Sequence, residues 1–448
     1  MVHFLFATIF NNKKFLIVVS IVIVALVIDT SLIKIYLISG QSLLSWKIVI
    51  FLIIATVYAI GQYFVLEFVK QRSREIRTRK QLHLDTIHKI VTIVQYILTA
   101  IIIFIILQIL VTSRYNTFII ATSTIMSYIV AITMLGLLAQ RFYSWFKSNR
   151  NSVVILYGLS STMLAINAIF VLIFVGIMSF SWPKEIYPFF VGGAFLASGS
   201  VIYVLNQIHF ISSIVAFTIT WLATTLLLRH YIQRVGRLKY WIILGIPLAF
   251  FLSQFVSLSL NLFAPLLKYD PVLFGIVLTL IFTLSKPVGG ILFGIAFWTI
   301  AKNISQGSVV RDYILISAYG FILLFISEQG IILSLVAYPP FGLITISFMG
   351  LSCYLILVGI YSSAISISED MRLRRSIRKY AIKESKLLDS IGTAQVEQEI
   401  QRRVITMTRE HEDIIKEETG LQLVDQDDIK QYVDEVLKTI KSNRKERT

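Results

Sequence analysis

The chain has 448 residues, of which 56% are hydrophobic and 15% charged, and its mean hydropathy is +0.78. A soluble core of that length does not absorb so much apolar surface, so most of the chain is expected in lipid. Residues 1–366 carry 24 basic and 8 acidic side chains and residues 367–448 carry 17 of each, so the net charge of +16 belongs to the apolar part, where basic loops beside an anionic leaflet explain it without a nucleic-acid groove.

From the amino terminus, Lys13 and Lys14 precede FLIVVSIVIVALVIDTSLIKIYLI. This run is longer than a signal-peptide core and closes on no small-residue cleavage pattern, which predicts a retained signal-anchor helix with its amino terminus in the cytoplasm. Spans are expected at 15–37, 48–69, 90–111, 117–138 and 153–177. Each is long enough, at about 1.5 Å per residue, for a helix to cross the hydrocarbon layer. Their β-branched residues do not argue for strands, because a lipid-embedded segment must satisfy its own backbone. The loop after the second span, with Lys70, Arg72, Arg74, Arg77, Arg79, Lys80 and Lys89, is expected in the cytoplasm, and Arg141, Lys147 and Arg150 place the next long connection on that side.

Residues 188–228 are too many for one ordinary crossing, and a break at 206–209 divides them into two short spans. That division puts Arg229, Arg234, Arg237 and Lys239 on the outer side, against the charge rule. Further spans are expected at 241–263, 272–300, 312–337 and 341–365. The segment 272–300 holds SKPVGG at its centre, where Pro287 removes a backbone donor and Gly289 and Gly290 permit a sharp bend, so it reads as one broken helix or two short ones. The fold class is therefore an all-α polytopic membrane helix bundle of ten to twelve spans (1–366), followed by a short helical cytoplasmic tail (367–448).

Lys286 and Glu328 interrupt two successive spans at similar distances from the turn near residue 306, so their depths should match. Opposite charges at one depth offset part of each other's desolvation, which predicts a structural ion pair at a kink or a transport site at a broken helix, the third alternative being a turn that takes Lys286 out of the membrane. Asp29 is a lone carboxylate in the first span. It is expected to find a structural partner, to pair with Lys286, or to bind a cation or a proton. Glu67 should snorkel toward Lys70 or Arg72. Gly192 with Gly193, and the GxxxG pair Gly290 and Gly294, suit close helix packing, while Pro339, Pro340 and Gly342 suit an external turn.

The sequence HLDTIH contains His83, Asp85 and His88, but the spacing and the surrounding positive charge oppose a metal site, and His3, His209, His230 and His411 complete no ligand run. Cys353 is the only cysteine. No phosphate loop, dinucleotide fingerprint, zinc-protease helix or nucleophile elbow is present, so neither an enzyme nor a cofactor is expected. In the tail, Ile377, Tyr380, Glu384, Leu387 and Ile391 approximate a heptad seam, and after Gly420 the positions Ile429, Val433, Val436, Leu437 and Ile440 share a helical face. The expected partners are anionic lipid headgroups, and a second copy or a cytoplasmic helix through residues 371–440. The favoured function is a secondary transporter or permease using Asp29, Lys286, Pro287, Gly289, Gly290 and Glu328; the alternative is a membrane sensor or scaffold signalling through the tail.

Overall fold

In the computed structural model, residues 12–35, 44–77, 82–181, 184–186, 201–259, 264–304, 308–328, 338–369, 374 and 386–410 are described. Outside them lie Gly192 and Gly193, His3 and His411, Arg79 and Lys80, and the amphipathic segment after Gly420. The described chain forms α1 (Asn12–Ile35), α2 (Leu44–Arg77), α3 (Leu82–Thr112), α4 (Thr117–Ser148), α5 (Ser152–Ser181) and α6 (Val201–Leu227). There follow short α7 (Ile232–Val235), α8 (Arg237–Ser259), short α9 (Ala264–Tyr269), α10 (Pro271–Lys302), α11 (Val309–Ser327), short α12 (Leu343–Ser347), α13 (Met349–Glu369) and the tail helix α14 (Lys386–Glu410). Ten helices among the described residues are long and apolar enough to cross a membrane. The chain is an all-α polytopic bundle.

Two sequence expectations are corrected here. The helix α6 runs unbroken through 206–209, and α10 runs unbroken through SKPVGG with Pro287 inside it. Both segments have continuous i to i−4 bonding available except at the proline, and lipid penalises any further loss. Ten crossings then alternate without the charge conflict, because Arg229, Arg234, Arg237 and Lys239 fall at the same end of the bundle as the basic loop.

Cross-links identify that end. Arg72 Nη2 on α2 lies 2.9 Å from Asp312 Oδ2 on α11, and Tyr313 donates to the Arg72 carbonyl at 2.7 Å. Asn303, after α10, donates to Tyr231 before α7 at 3.2 Å. Glu67 meets Lys70 at 3.6 Å, as snorkelling requires, whereas Arg72 is engaged by Asp312. At the opposite end, Tyr115–Asn116 pairs antiparallel with Glu185–Ile186, and Arg114 bridges Glu185 at 2.8 Å. Tyr115 also stacks on Tyr338 there, with ring centroids 6.0 Å apart.

The helix α13 is the axis. Every residue from 338 to 360 is buried, because α2, α3, α4, α11 and α14 all pack against this segment. Small residues make that crowding feasible. Gly359 lies on Ser317 and on the Tyr313 carbonyl, Gly320 lies on Ile356, and Gly350 lies on Val130. Gly342 adopts φ +88, a left-handed conformation that L side chains resist, and so turns the chain into α12.

The tail helix docks on the basic end. Leu387, Leu388, Ile391 and Ala394 are buried against the chain's own spans, so the heptad-like positions Leu387 and Ile391 are occupied intramolecularly. Gln395 accepts from Trp145 Nε1 at 3.0 Å, Ser390 Oγ accepts from Asn151 at 2.5 Å, and Gln398 donates to Ser144 at 2.9 Å.

Gly359→Ala should drive a methyl into Ser317 and a backbone carbonyl, and overpacking of this kind costs about 1–3 kcal/mol. Gly136→Ala meets nothing within 4 Å and should be neutral or stabilising. Thermal unfolding in detergent should therefore separate the two variants, and equal midpoints would contradict the close approach of α11 and α13.

Candidate functional site

The bundle's charged interior is built by α5, α6, α8, α10 and α11. Lys286 Nζ lies 3.0 Å from Glu328 Oε1, with side chains 8% and 3% exposed, so the two interrupting charges do meet. Glu328 follows the last residue of α11, where the helix ends and the carboxylate turns inward. Its Oε1 also accepts from Asn167 Nδ2 on α5 at 2.6 Å. Asn167 Oδ1 in turn accepts from Ser212 on α6 at 2.6 Å. On the far side of Lys286, Ser285 donates to Gln254 on α8 at 3.1 Å. A carboxylate with two charge-assisted or amide donors is far better compensated than an isolated one, which is what permits this pair in a dry interior.

Pro287 and the two glycines hold the pair in place rather than opening the helix. Pro287 supplies no N–H, so the Thr283 carbonyl lacks its usual helical donor. Gly289 receives the ring of Phe217, which stacks on Phe251 at 3.8 Å between centroids. Gly290 and Gly294 meet Phe325, Ile322 and the α11 backbone, as the GxxxG spacing predicts. This close approach of α10 to α11 brings Lys286 within reach of Glu328. Phe217, Phe293 and Phe325 close the next layer toward the basic end.

Four buried polar atoms in this region have no hydrogen-bond partner: Tyr128 Oη, His209 Nδ1, Thr283 Oγ1 and Ser327 Oγ. His209 is 7% exposed and feels the charge of Lys286; Thr283 is one helical turn from Lys286, and Ser327 adjoins Glu328. Unpaired buried polar groups are uncommon because each forfeits its hydration; six more lie elsewhere among the described residues, Asp29 Oδ1 and Gln62 Oε1 among them, so what sets these four apart is their gathering around an ion pair.

Asp29 is elsewhere, and its pairing with Lys286 is corrected. Its Oδ2 accepts from the Thr345 backbone N–H at 3.0 Å and from the Thr345 hydroxyl at 2.7 Å. Thr345 lies in the first turn of α12, whose leading N–H groups need acceptors, so Asp29 caps a helix from another span. Its Oδ1 is buried without a hydrogen-bond partner among the described residues. His88 bonds to Tyr354 at 2.8 Å, and no metal-binding group of His, Cys, Asp or Glu occurs among the described residues.

Asn167, His209, Ser212, Gln254, Thr283, Ser285 and Ser327 escape a reading based on charge alone. Their signal was polarity inside otherwise apolar spans, most clearly the lone carboxamide Asn167 in α5. Comparison with protein-family models, with curated proteins and with solved structures finds no significant match.

The pair's coupling is measurable. Lys286→Met should cost about 3–5 kcal/mol by stranding Glu328, and adding Glu328→Gln should recover part of it. The double-mutant cycle in detergent should show more than about 0.5 kcal/mol of non-additivity, the range within which independent sites add. Additive effects would separate the two side chains.

Proposed function

We propose that the protein is a secondary transporter or permease in which Lys286 and Glu328 form the coupling or gating site. The observation that carries this reading is an ion pair 3.0 Å long inside the membrane bundle, surrounded by polar side chains from four helices and by unpartnered donors. Ionisable groups at this depth are expensive to bury and concentrate where charge is moved. The four unpaired atoms around the pair are capacity that a purely structural pair does not use. Asp29 lies outside this site, its Oδ2 held by Thr345.

A second reading has its own support. The tail helix is latched to the spans through Trp145, Asn149, Asn151 and Ser144, which suits a sensor or scaffold that reports membrane state through residues 371–440 to a second copy or a cytoplasmic helix. Under either reading the basic end, with Lys70, Arg141, Arg150 and Arg229, faces the cytoplasm of the cell membrane and anionic headgroups.

A broad solute-flux screen in proteoliposomes, with and without proton and sodium gradients, decides between the readings. Gradient-coupled flux is expected, and Glu328→Gln should bring it to background while folded protein persists. No flux for any solute, with Glu328→Gln altering only assembly, would favour the sensor.

Orientation has a separate check. Cys353 is the sole cysteine and is buried, so thiols introduced as Lys268→Cys and Arg402→Cys report without background. Lys268→Cys should react with an impermeant reagent on intact cells and Arg402→Cys only after permeabilisation. The reverse pattern would invert the topology.

A further inference from the structure

We infer that the site binds a small monocarboxylate on Lys286, and that it does so when a proton on Glu328 releases the lysine. This deepens the transport reading and rests on it.

The donor inventory selects the ligand's charge. Lys286 carries three N–H donors, and the one acceptor shown beside it is Glu328 Oε1, which Asn167 also engages. A metal cation entering here would meet the ammonium directly, and the only carboxylate of the site is already shared by two donors. What is uncommitted is the Tyr128, Thr283 and Ser327 hydroxyls and His209 Nδ1, all buried and within a turn of the pair or under its charge. Hydroxyls and an imidazole N–H beside a fixed positive charge orient favourably toward an anion. A planar carboxylate, with two oxygens, matches one ammonium plus two or three such donors. The aromatic layer of Phe217, Phe293 and Phe325, about two turns further along α10, suits the ligand's carbon body.

Charge accounting explains why the proton is needed. The resting site is neutral, with one ammonium and one carboxylate. A proton delivered from water forms an O–H bond on Glu328 and its charge-assisted contact with Lys286 is given up, so the site becomes singly positive. The incoming carboxylate then takes the lysine and restores neutrality. No charge crosses the apolar interior uncompensated, so one proton and one anion move together. The groups that face Glu328 from the packed helices are Lys286 on α10, Asn167 on α5, Tyr128 on α4 and Cys353 on α13, with His209 on α6 acting on Lys286. Lys286 is the only cation among these named neighbours, so protonating Glu328 leaves that cation to the ligand.

The experiment uses the full chain, with pyruvate and gluconate as probes. Calorimetry of the purified wild-type protein, repeated in buffers of different ionisation enthalpy, should show about one proton taken up for each carboxylate bound, and binding without proton uptake would overturn the mechanism. In proteoliposomes, after subtraction of protein-free vesicles, an inward gradient of one pH unit should give about tenfold accumulation, as electroneutral one-to-one exchange of free energy demands. Clamping the membrane potential should leave it unchanged. Glu328→Gln, a permanent mimic of the protonated acid, should keep carboxylate counterflow and lose its dependence on the pH gradient, while Lys286→Met should lose binding. Gradient-driven flux of a cation or neutral solute with none of either carboxylate would overturn this inference and leave the transport reading standing; absence of flux for every solute would sink both.

Discussion

A bilayer interior supplies no water, so each polar group that leaves the aqueous phase must be answered by another part of the protein. Nearly every unusual feature of this bundle follows from that requirement. Glu328 is answered by Lys286 and Asn167, Asn167 by Ser212, Asp29 by the opening turn of α12, and the Ser127 hydroxyl by the Ile346 carbonyl. These links cross between helices distant in sequence, and they fix rotation and depth where apolar contacts alone allow slippage. Lipid-facing positions, such as Ile17, Val24, Ile53 and Ile103, carry no such restriction and are exposed without penalty.

Close approach of backbones is the second half of the same solution. Lipid tails are as apolar as leucine, so helices associate here through shape and through shared polar bonds. Gly290 and Gly294 seat α10 on α11, and Gly320 and Gly359 seat α11 on α13. The ion pair is thus positioned by glycines that carry no chemistry of their own. Burial of the aromatic stack Phe217 on Phe251 ties α6 and α8 to the same layer.

Much of this was legible in the amino-acid order. Hydropathy placed the spans, and equal separation of Lys286 and Glu328 from the turn near 306 placed them at one depth, because α-helical rise is constant. The number of spans in 188–300 was not legible: a proline or a polar patch interrupts composition without interrupting the helix, and only packing decides which. Asp29 was visible as a buried acid, yet its partner Thr345 lies 316 residues away and half of the contact is a backbone N–H that leaves no trace in residue identity. Asn167, Ser212 and Gln254 were hidden because uncharged polar residues occur in spans as ordinary packing and hydrogen-bonding groups, so residue identity alone does not select them.

The fully enclosed position of α13 bears on how the molecule is made. Ribosomal synthesis proceeds from the amino terminus, so the other nine described spans precede α13 into the membrane, among them α2, α3, α4 and α11, which pack against it. Until it arrives, Gly320, Val130 and the carboxylate of Asp29 lack the partners that α12 and α13 supply, and α11, which leads to Glu328, lacks part of its lateral support. The earlier spans pair among themselves, α4 with α5, α5 with α6 and α10 with α11, and the late-arriving axis completes the packing of α2, α3, α4 and α11. Translational pausing or chaperoning near residues 329–370 would act at the step where this bundle acquires its shape.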